Sequence, residues 1–222
     1  MADIIVPSQH VSVYALDWSG TVSDDRQSVY ESNMRIFDAH GKPRLEYWDF
    51  FDQTTLSFEG FARRNGLSGS QEDLLGLYAT NYEKVVADGI RPHMYYEVPE
   101  VVEHIKRKDK PIVIVSSHPE KALIREIKEY GMNGNLGLVL GGLTSKADKF
   151  ESIAKSYGTY PGNILFVGDT TFDMISGREA GVIIAAVGGP DDENRRGYHT
   201  RSMLSAENPD FILEDFKGLM DV

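Results

Sequence analysis

Three aspartates carry the most chemistry in this sequence: Asp17, Asp169 and Asp173. Asp17 ends the apolar run 11–16 and is followed at once by the small turn Trp18-Ser19-Gly20-Thr21. A carboxylate at the tip of a buried strand is placed like a nucleophile. Attacking phosphorus, it forms an aspartyl phosphate and divides one hard step into two easier ones. The plain alternative is an aspartate that caps a turn, and Asp-x-x-Gly-Thr alone does not choose between them. Far downstream, the apolar run 164–167 leads into Gly168-Asp169-Thr170-Thr171-Phe172-Asp173. Asp169 ends a strand, and Asp173 follows about one helical turn later, so both carboxylates can face one point. The alternative here is a strand-to-helix turn with aspartates capping the helix. Three carboxylates gathered at one sheet edge need a cation. Hard Mg²⁺, held by a few carboxylates, waters and a substrate phosphate, suits such a cluster.

Two further segments fit an anion bound beside that cation. Ser116 follows the apolar run 112–115, and Ser117-His118-Pro119 then opens a helix, with Pro suited to its first turn. A hydroxyl and free backbone N–H groups at a helix N-terminus form a ready anion site; a simple serine N-cap explains the same segment equally well. Lys146, after a third apolar run, can offset the charge of Asp17 and a phosphate and hold the attacking carboxylate in place. A solvated lysine is the competing reading, and Lys149, assigned to an exposed helix face, is the competing residue.

The elements that must position these groups are legible. Runs 11–16, 112–115, 136–140, 164–167 and 182–187 read as strands, with a short sixth at 211–213. Most lack strict alternation, as strands covered on both faces do. Helical patterns separate them: Val98, Val102 and Ile105; Leu123, Ile127 and Tyr130; Phe150, Ile153, Ala154 and Tyr157. The expectation is a doubly wound parallel α/β sheet. Residues 24–91 break the rhythm, being far longer than one crossover. Tyr30, Met34 and Phe37 mark one helix there; Leu74, Tyr78, Tyr82 and Val85 mark another, opened by Ser70 with Asp73 at capping-box spacing. Gly66 to Ser70 and Gly41-Lys42-Pro43 read as turns. The expected organisation is an α/β core, 1–23 and 92–222, with a small helical cap at 24–91 inserted near the carboxyl ends of the strands, where such sheets bind ligands.

Bulk properties narrow the partners. A chain of 222 residues with 41% hydrophobic and 26% charged residues can bury a real core. Its net charge of −11 disfavours nucleic acid and anionic membrane surfaces. Without cysteine it has no disulfide, thiolate site or thiol nucleophile, which fits a reducing cytoplasm. No apolar run reaches transmembrane length, and residues 1–10 show no basic-then-apolar leader pattern. A cytoplasmic monomer or homodimer acting on a small phosphorylated metabolite is the expectation.

Asp17, Ser116, Lys146 and Gly168-Asp169…Asp173 occur in the order, and on the strand ends, of the four motifs of the haloacid dehalogenase-like hydrolase superfamily, which this chain resembles over essentially its whole length. The inserted helices are similar to that superfamily's cap. Gly197-Tyr198 and Asn208-Pro209-Asp210-Phe211-Ile212 look like the tail of its phosphoglycolate phosphatase-like branch. The resemblance implies that Asp17 is the nucleophile, that Ser116 binds phosphate with Ser117, Gly20 and Thr21 nearby, and that Lys146 orders the charges. It implies that Asp17 and Asp169, assisted by Asp173, hold Mg²⁺, with Ser19 ligating through its main-chain carbonyl.

Ser19 departs from the pattern. Family phosphatases usually carry a second aspartate there, which protonates the leaving oxygen and then deprotonates the attacking water. General acid–base help is worth about 10²–10⁴-fold, roughly 3–5 kcal/mol of barrier. Three readings follow: a phosphatase slow on alkyl esters or suited to acyl or aryl phosphates, with His118 or a cap residue as substitute acid; a phosphonoacetaldehyde hydrolase, whose first motif Asp17-Trp18-Ser19-Gly20-Thr21 resembles but whose Schiff-base lysine is missing from 49–55, leaving only Lys42 and Lys84 in the cap; or a phospho-ligand-binding protein without turnover. Elsewhere the bland readings win. Trp48, Phe50, Phe51, Phe58 and Phe61 read as cap core or as its contact with the sheet, Arg63-Arg64 as a solvated pair, 191–196 as a surface loop, and His93 as a linker residue.

Overall fold

The structure is a computed structural model that describes residues 11–54, 58–192 and 194–222. The leader reading of 1–10, and the parts of the 49–55 and 191–196 readings that fall on Thr55 and Glu193, lie outside the described residues. The chain divides into two compact units: one runs up to Ser23 and resumes at Met94, and the other is Asp24–His93. The return thus falls at Met94 rather than the expected residue 92.

The first unit is built on β1 (Val13–Leu16), which lies at the centre of its sheet. The chain leaves through the two-residue strand β2 (Ser23–Asp24). The second unit holds α1 (Arg26–Ala39), α2 (Tyr47–Gln53), α3 (Phe58–Arg64) and α4 (Gln71–Ala87). The chain returns through β3 (His93–Met94) and continues as α5 (Val98–Arg107), β4 (Ile112–Val115), α6 (Glu120–Glu129), β5 (Leu138–Leu140), α7 (Ala147–Ser156), β6 (Ile164–Gly168), α8 (Thr171–Ala180), β7 (Ile183–Val187), α9 (Arg201–Ala206) and β8 (Phe211–Leu213).

Six strands form one sheet in the order β5-β4-β1-β6-β7-β8, parallel at every pairing. Side chains alternate along β1, so Tyr14 and Leu16 enter the core packed with Val101 and Ile105 of α5 and Leu123 and Ile127 of α6. Val13 and Ala15 enter the opposite core with Phe150 and Ile153 of α7, Met174 of α8 and Leu204 of α9. Both faces are covered, which is why the strands read as continuous apolar runs rather than alternating ones. Each fully buried large aliphatic side chain contributes roughly 1.5–3 kcal/mol relative to exposure. The parallel register also fixes the site. Leu16 lies level with Ile114 of β4 and Val167 of β6, so Asp17, Ser116 and Asp169 all emerge at the carboxyl edge of three adjacent strands.

The elements are shorter than the apolar runs. β1 starts at Val13, level with the first residue of β6, and Ser12 N–H bonds to Asn163 O at the end of the short 3-10 turn that precedes β6. β5 starts at Leu138. α6 starts at Glu120, with Pro119 as its N-cap residue and no side-chain capping bond. Pro119 therefore precedes the helix rather than filling its first turn, and neither Ser116 nor Ser117 is the cap.

In the second unit, α1 packs on α4. The expected capping box opens α4: Ser70 Oγ accepts from Asp73 N at 3.1 Å and Asp73 Oδ2 accepts from Ser70 N at 3.2 Å. Phe50, Phe51 and Phe61 are buried and meet edge to face, 5.5 Å between the rings of Phe50 and Phe61, so they form this unit's own core. Arg63 pairs with Glu59 in the open, one turn away on α3.

Candidate active site

Asp17 is the first residue beyond β1, and its N–H still bonds to Val167 O of β6 at 2.9 Å, so the sheet itself fixes its backbone. Its carboxylate is 3% exposed at the residue level. Lys146 Nζ lies 2.7 Å from Asp17 Oδ1 and 2.6 Å from Asp173 Oδ1, and is itself buried. Asp17, Asp169 and Asp173 each offer an oxygen within 4.8 Å of the others. The three acids distant in sequence therefore converge, with one lysine among them. Lys149, the competing lysine, sits partly exposed on α7.

The charges are unbalanced: three carboxylates face one ammonium in a desolvated place. Burial pushes the Asp17 carboxyl above the ordinary range; Lys146 opposes the rise and Asp173 adds to it. Burial, then Asp17 and Asp173, push Asp169 well above, against the donors from Tyr198 and Thr21. For Lys146 burial alone would lower the ammonium, but Asp17 and Asp173 outweigh it and hold it above ordinary lysine. A hard divalent ion would relieve this excess of negative charge, so the donor set fits such a cation.

Asp169 is clasped. Thr21 Oγ1 donates to its Oδ1 at 2.8 Å, and Tyr198 N donates to its Oδ2 at 2.7 Å. Gly20 and Gly197, both with positive φ (74° and 73°), press on the same carboxylate: a Cβ on Gly20 would stand 2.1 Å from Oδ2 and one on Gly197 2.7 Å from it. Two glycines are thus required by both backbone conformation and closeness. Arg196 ties this wall together. It pairs with Glu97, donates to Thr21 O at 2.5 Å and stacks over Tyr95 at 3.7 Å.

Asp173 reconciles its two sequence readings. It caps α8, with Oδ2 accepting from Thr170 N at 3.1 Å and Thr170 Oγ1 at 2.6 Å, while Oδ1 takes Lys146. Gly168 allows this, since a Cβ there would lie 2.5 Å from the Asp173 side chain.

The other expected residues differ in burial and partners. Thr21, expected at the substrate, is fully buried and gives its hydroxyl to Asp169 and its N–H to Trp18 O. Gly20, likewise expected there, gives its N–H to Ser23 O at 2.8 Å. Both build the wall that holds Asp169, because their donors are already used. Ser116 is buried, and its hydroxyl accepts from His118 N at 3.2 Å; Ser117 is exposed. Ser19 Oγ lies 3.0 Å from His118 Nδ1. Sequence reasoning named Gly197-Tyr198 only as part of a family-like tail, and it missed the work that these two and Arg196 do around Asp169.

The pattern that describes the haloacid dehalogenase-like hydrolases matches residues 14–187 of this chain. The chain belongs to that family. Among curated relatives, phosphoglycolate phosphatase of Haemophilus influenzae is 25% identical over 134 residues, 58% of this chain and 57% of that enzyme. The matched part therefore spans little more than half of that relative's length. Phosphoglycolate phosphatase of Synechococcus elongatus is 23% identical over 92% of this chain and 93% of its own. Among solved structures, a haloacid dehalogenase-like hydrolase of Bacteroides fragilis superposes with a TM-score of 0.77 at 18% identity, covering 94% of this chain and 99% of its own. The predicted phosphoglycolate phosphatase of Haemophilus somnus gives 0.75 at 18%, covering 95% and 97%. These likenesses share the fold.

Proposed function

We propose that this hydrolase is a Mg²⁺-dependent phosphatase that hydrolyses a small phosphorylated metabolite through an aspartyl phosphate on Asp17. The observation that carries the reading is the buried convergence of Asp17, Asp169 and Asp173 on Lys146. Asp17 and Asp169 would hold the ion, with the Ser19 main-chain carbonyl as a further oxygen; both carboxylate oxygens of Asp173 already carry protein donors, so it acts chiefly through Lys146. Bound Mg²⁺ supplies charge neutralisation for the incoming phosphate.

The chain's own residues do the rest. Lys146 holds Asp17 Oδ1, fixing the carboxylate's rotation and leaving Oδ2 to approach phosphorus. Ser116 stands at the end of the adjacent strand as the phosphate's hydroxyl partner. In the first step Asp17 Oδ2 bonds to phosphorus while the ester oxygen departs with its electron pair. In the second, water adds to phosphorus, the bond to Asp17 breaks, the carboxylate is restored, and both water protons leave with dihydrogen phosphate.

The Schiff-base alternative has no support from the second unit, where Lys42 and Lys84 are both exposed; an amine nucleophile needs desolvation or a neighbouring cation to lose its proton. A metabolite phosphate screen with Mg²⁺ tests the proposal. Wild type should release phosphate, and Asp17→Asn should lose at least 10³-fold while remaining folded by circular dichroism. Undiminished activity in Asp17→Asn would reject the nucleophile.

A further inference from the structure

One residue closes the contacts around Asp169 into a ring. Thr21 Oγ1 donates to one oxygen of that carboxylate and Tyr198 N to the other. Thr21 O in turn accepts from Arg196 Nη2 at 2.5 Å, and Arg196 is joined to Tyr198 along the chain through Gly197. Asp169, Thr21, Arg196 and Tyr198 therefore hold one another. The same guanidinium is anchored outside the ring. Its Nη1 pairs with Glu97 Oε1, and its Cζ lies 3.7 Å from the centre of the Tyr95 ring. Glu97 is buried and its second oxygen has no hydrogen-bond partner, so this carboxylate leans on Arg196; a buried charge needs such a partner.

These contacts reach the two segments that flank the second unit in the chain. Thr21 belongs to 21–23, on which the chain leaves the first unit, and Tyr95 and Glu97 to 94–97, on which it re-enters. Tyr95 N donates to Val22 O at 3.1 Å, and Gly197 N donates to Tyr95 Oη at 3.4 Å. An arginine has only donors, set in a rigid planar fork that also stacks on aromatic faces. Arg196 uses all of these features at once: one arm on each segment and its face on Tyr95. A lysine keeps the charge as a single point and does not span carbonyl, carboxylate and ring together.

We infer that Arg196 is a positioning residue that couples the ion site to these two segments, so that ion affinity and the fixing of Tyr95 rise and fall together. The inference rests on the reading above in which Asp169 helps to hold a divalent ion. Three carboxylates gathered about one ammonium repel one another, and that repulsion works against the place of Asp169 between Thr21 and Tyr198. A cation shared among them removes the repulsion, strengthens the clasp, and with it the hold of Thr21 and of the 196–198 loop on Arg196. Linkage makes the effect reciprocal: loosening Arg196 from Tyr95 weakens the ion.

The test reads binding and structure rather than turnover. In protein labelled with meta-fluorotyrosine, the fluorine resonance of Tyr95, assigned with Tyr95→Phe, should shift as Mg²⁺ is added, with the midpoint that isothermal titration gives for binding. Arg196→Lys should bind Mg²⁺ about tenfold more weakly, inside the range typical of coupled sites, and its Tyr95 resonance should stay still when the site is saturated. Tyr95→Leu, which takes the ring from beneath the guanidinium and alters no carboxylate, should weaken Mg²⁺ by about fivefold or more. Tyr95→Phe, which keeps the ring, should bind as wild type does. This second pair decides the question even where Arg196→Lys fails to fold. Wild-type affinity in Arg196→Lys, a Tyr95 shift preserved in that variant or missing from the wild type, or Tyr95→Leu and Tyr95→Phe binding alike, overturns the inference and leaves the ion site and the phosphatase reading standing. No Mg²⁺ binding by the wild type overturns the ion site and the inference together.

Discussion

Asp169 shows how much of a site rests on residues whose donors are spent on holding a side chain in place. Its two oxygens are held by Thr21 and Tyr198, and two glycines let the loops come that close. Gly197→Ala would place a methyl group against the carboxylate at a positive φ, a conformation costing about 1–2 kcal/mol for an L side chain before any clash. It should weaken Mg²⁺ binding, read by isothermal titration, at least tenfold; unchanged binding would show that this wall does not position Asp169. Lys146→Met removes the one cation among three buried acids, and losing one partner of a buried pair typically costs about 3–5 kcal/mol. Urea unfolding without Mg²⁺ should record a loss of that order. At this scale the sequence exposed the acids and the lysine, since charged residues at strand ends are conspicuous. It hid the clasp, because Thr21 and Gly20 suit a phosphate as well as a carboxylate, and only coordinates reveal that their donors are spent. It also hid a hydrogen-bonded chain from Ser19 through His118 to Glu126, whose members stand 99 and 8 residues apart and share no spacing rule.

The strands and helices carry the acids by simple means. β1 and β6 run parallel in register, so residues ending each run meet at one edge. These elements were legible because the apolar runs are continuous and helical patterns separate those from 112 to 167. Their ends were less so: the apolar run at 11–16 reads as strand throughout by composition, but the ladder begins only at Val13, because β6 itself begins at Ile164 after a short 3-10 turn. α8 shows an end that serves chemistry. Thr170 and Asp173 form its capping box and also hold the carboxylate that meets Lys146. Thr170→Ala should cost about 1 kcal/mol of stability and lower kcat more than it raises KM, as Lys146 and Asp17 lose their anchor. A stability loss with kinetics unchanged would confine Asp173 to capping.

Across the whole molecule, charge links stability to pH. The carboxyls of Asp17 and Asp169 sit above their ordinary range in the metal-free fold. Such groups favour the fold in full below the unfolded value near 4, and that contribution is lost as pH rises through the raised folded values. Without metal, the melting temperature should therefore decline from mildly acid to neutral pH. Saturating Mg²⁺ should flatten that decline, and at 100 times its Kd an ion bound only to the folded state adds about 2.7 kcal/mol. Identical pH profiles with and without Mg²⁺ would deny a shared ion. The net charge of −11 makes the local excess of acid at this site part of a generally acidic molecule.

The most direct measurement is chemical identification of the intermediate. After mixing with p-nitrophenyl phosphate and Mg²⁺, acid quench and borohydride reduction convert a phosphorylated aspartate to homoserine, which peptide mass spectrometry locates. Homoserine at position 17, absent without Mg²⁺, is the predicted result. Continued turnover with no modification at Asp17, or with phosphate carried on another residue, would contradict it.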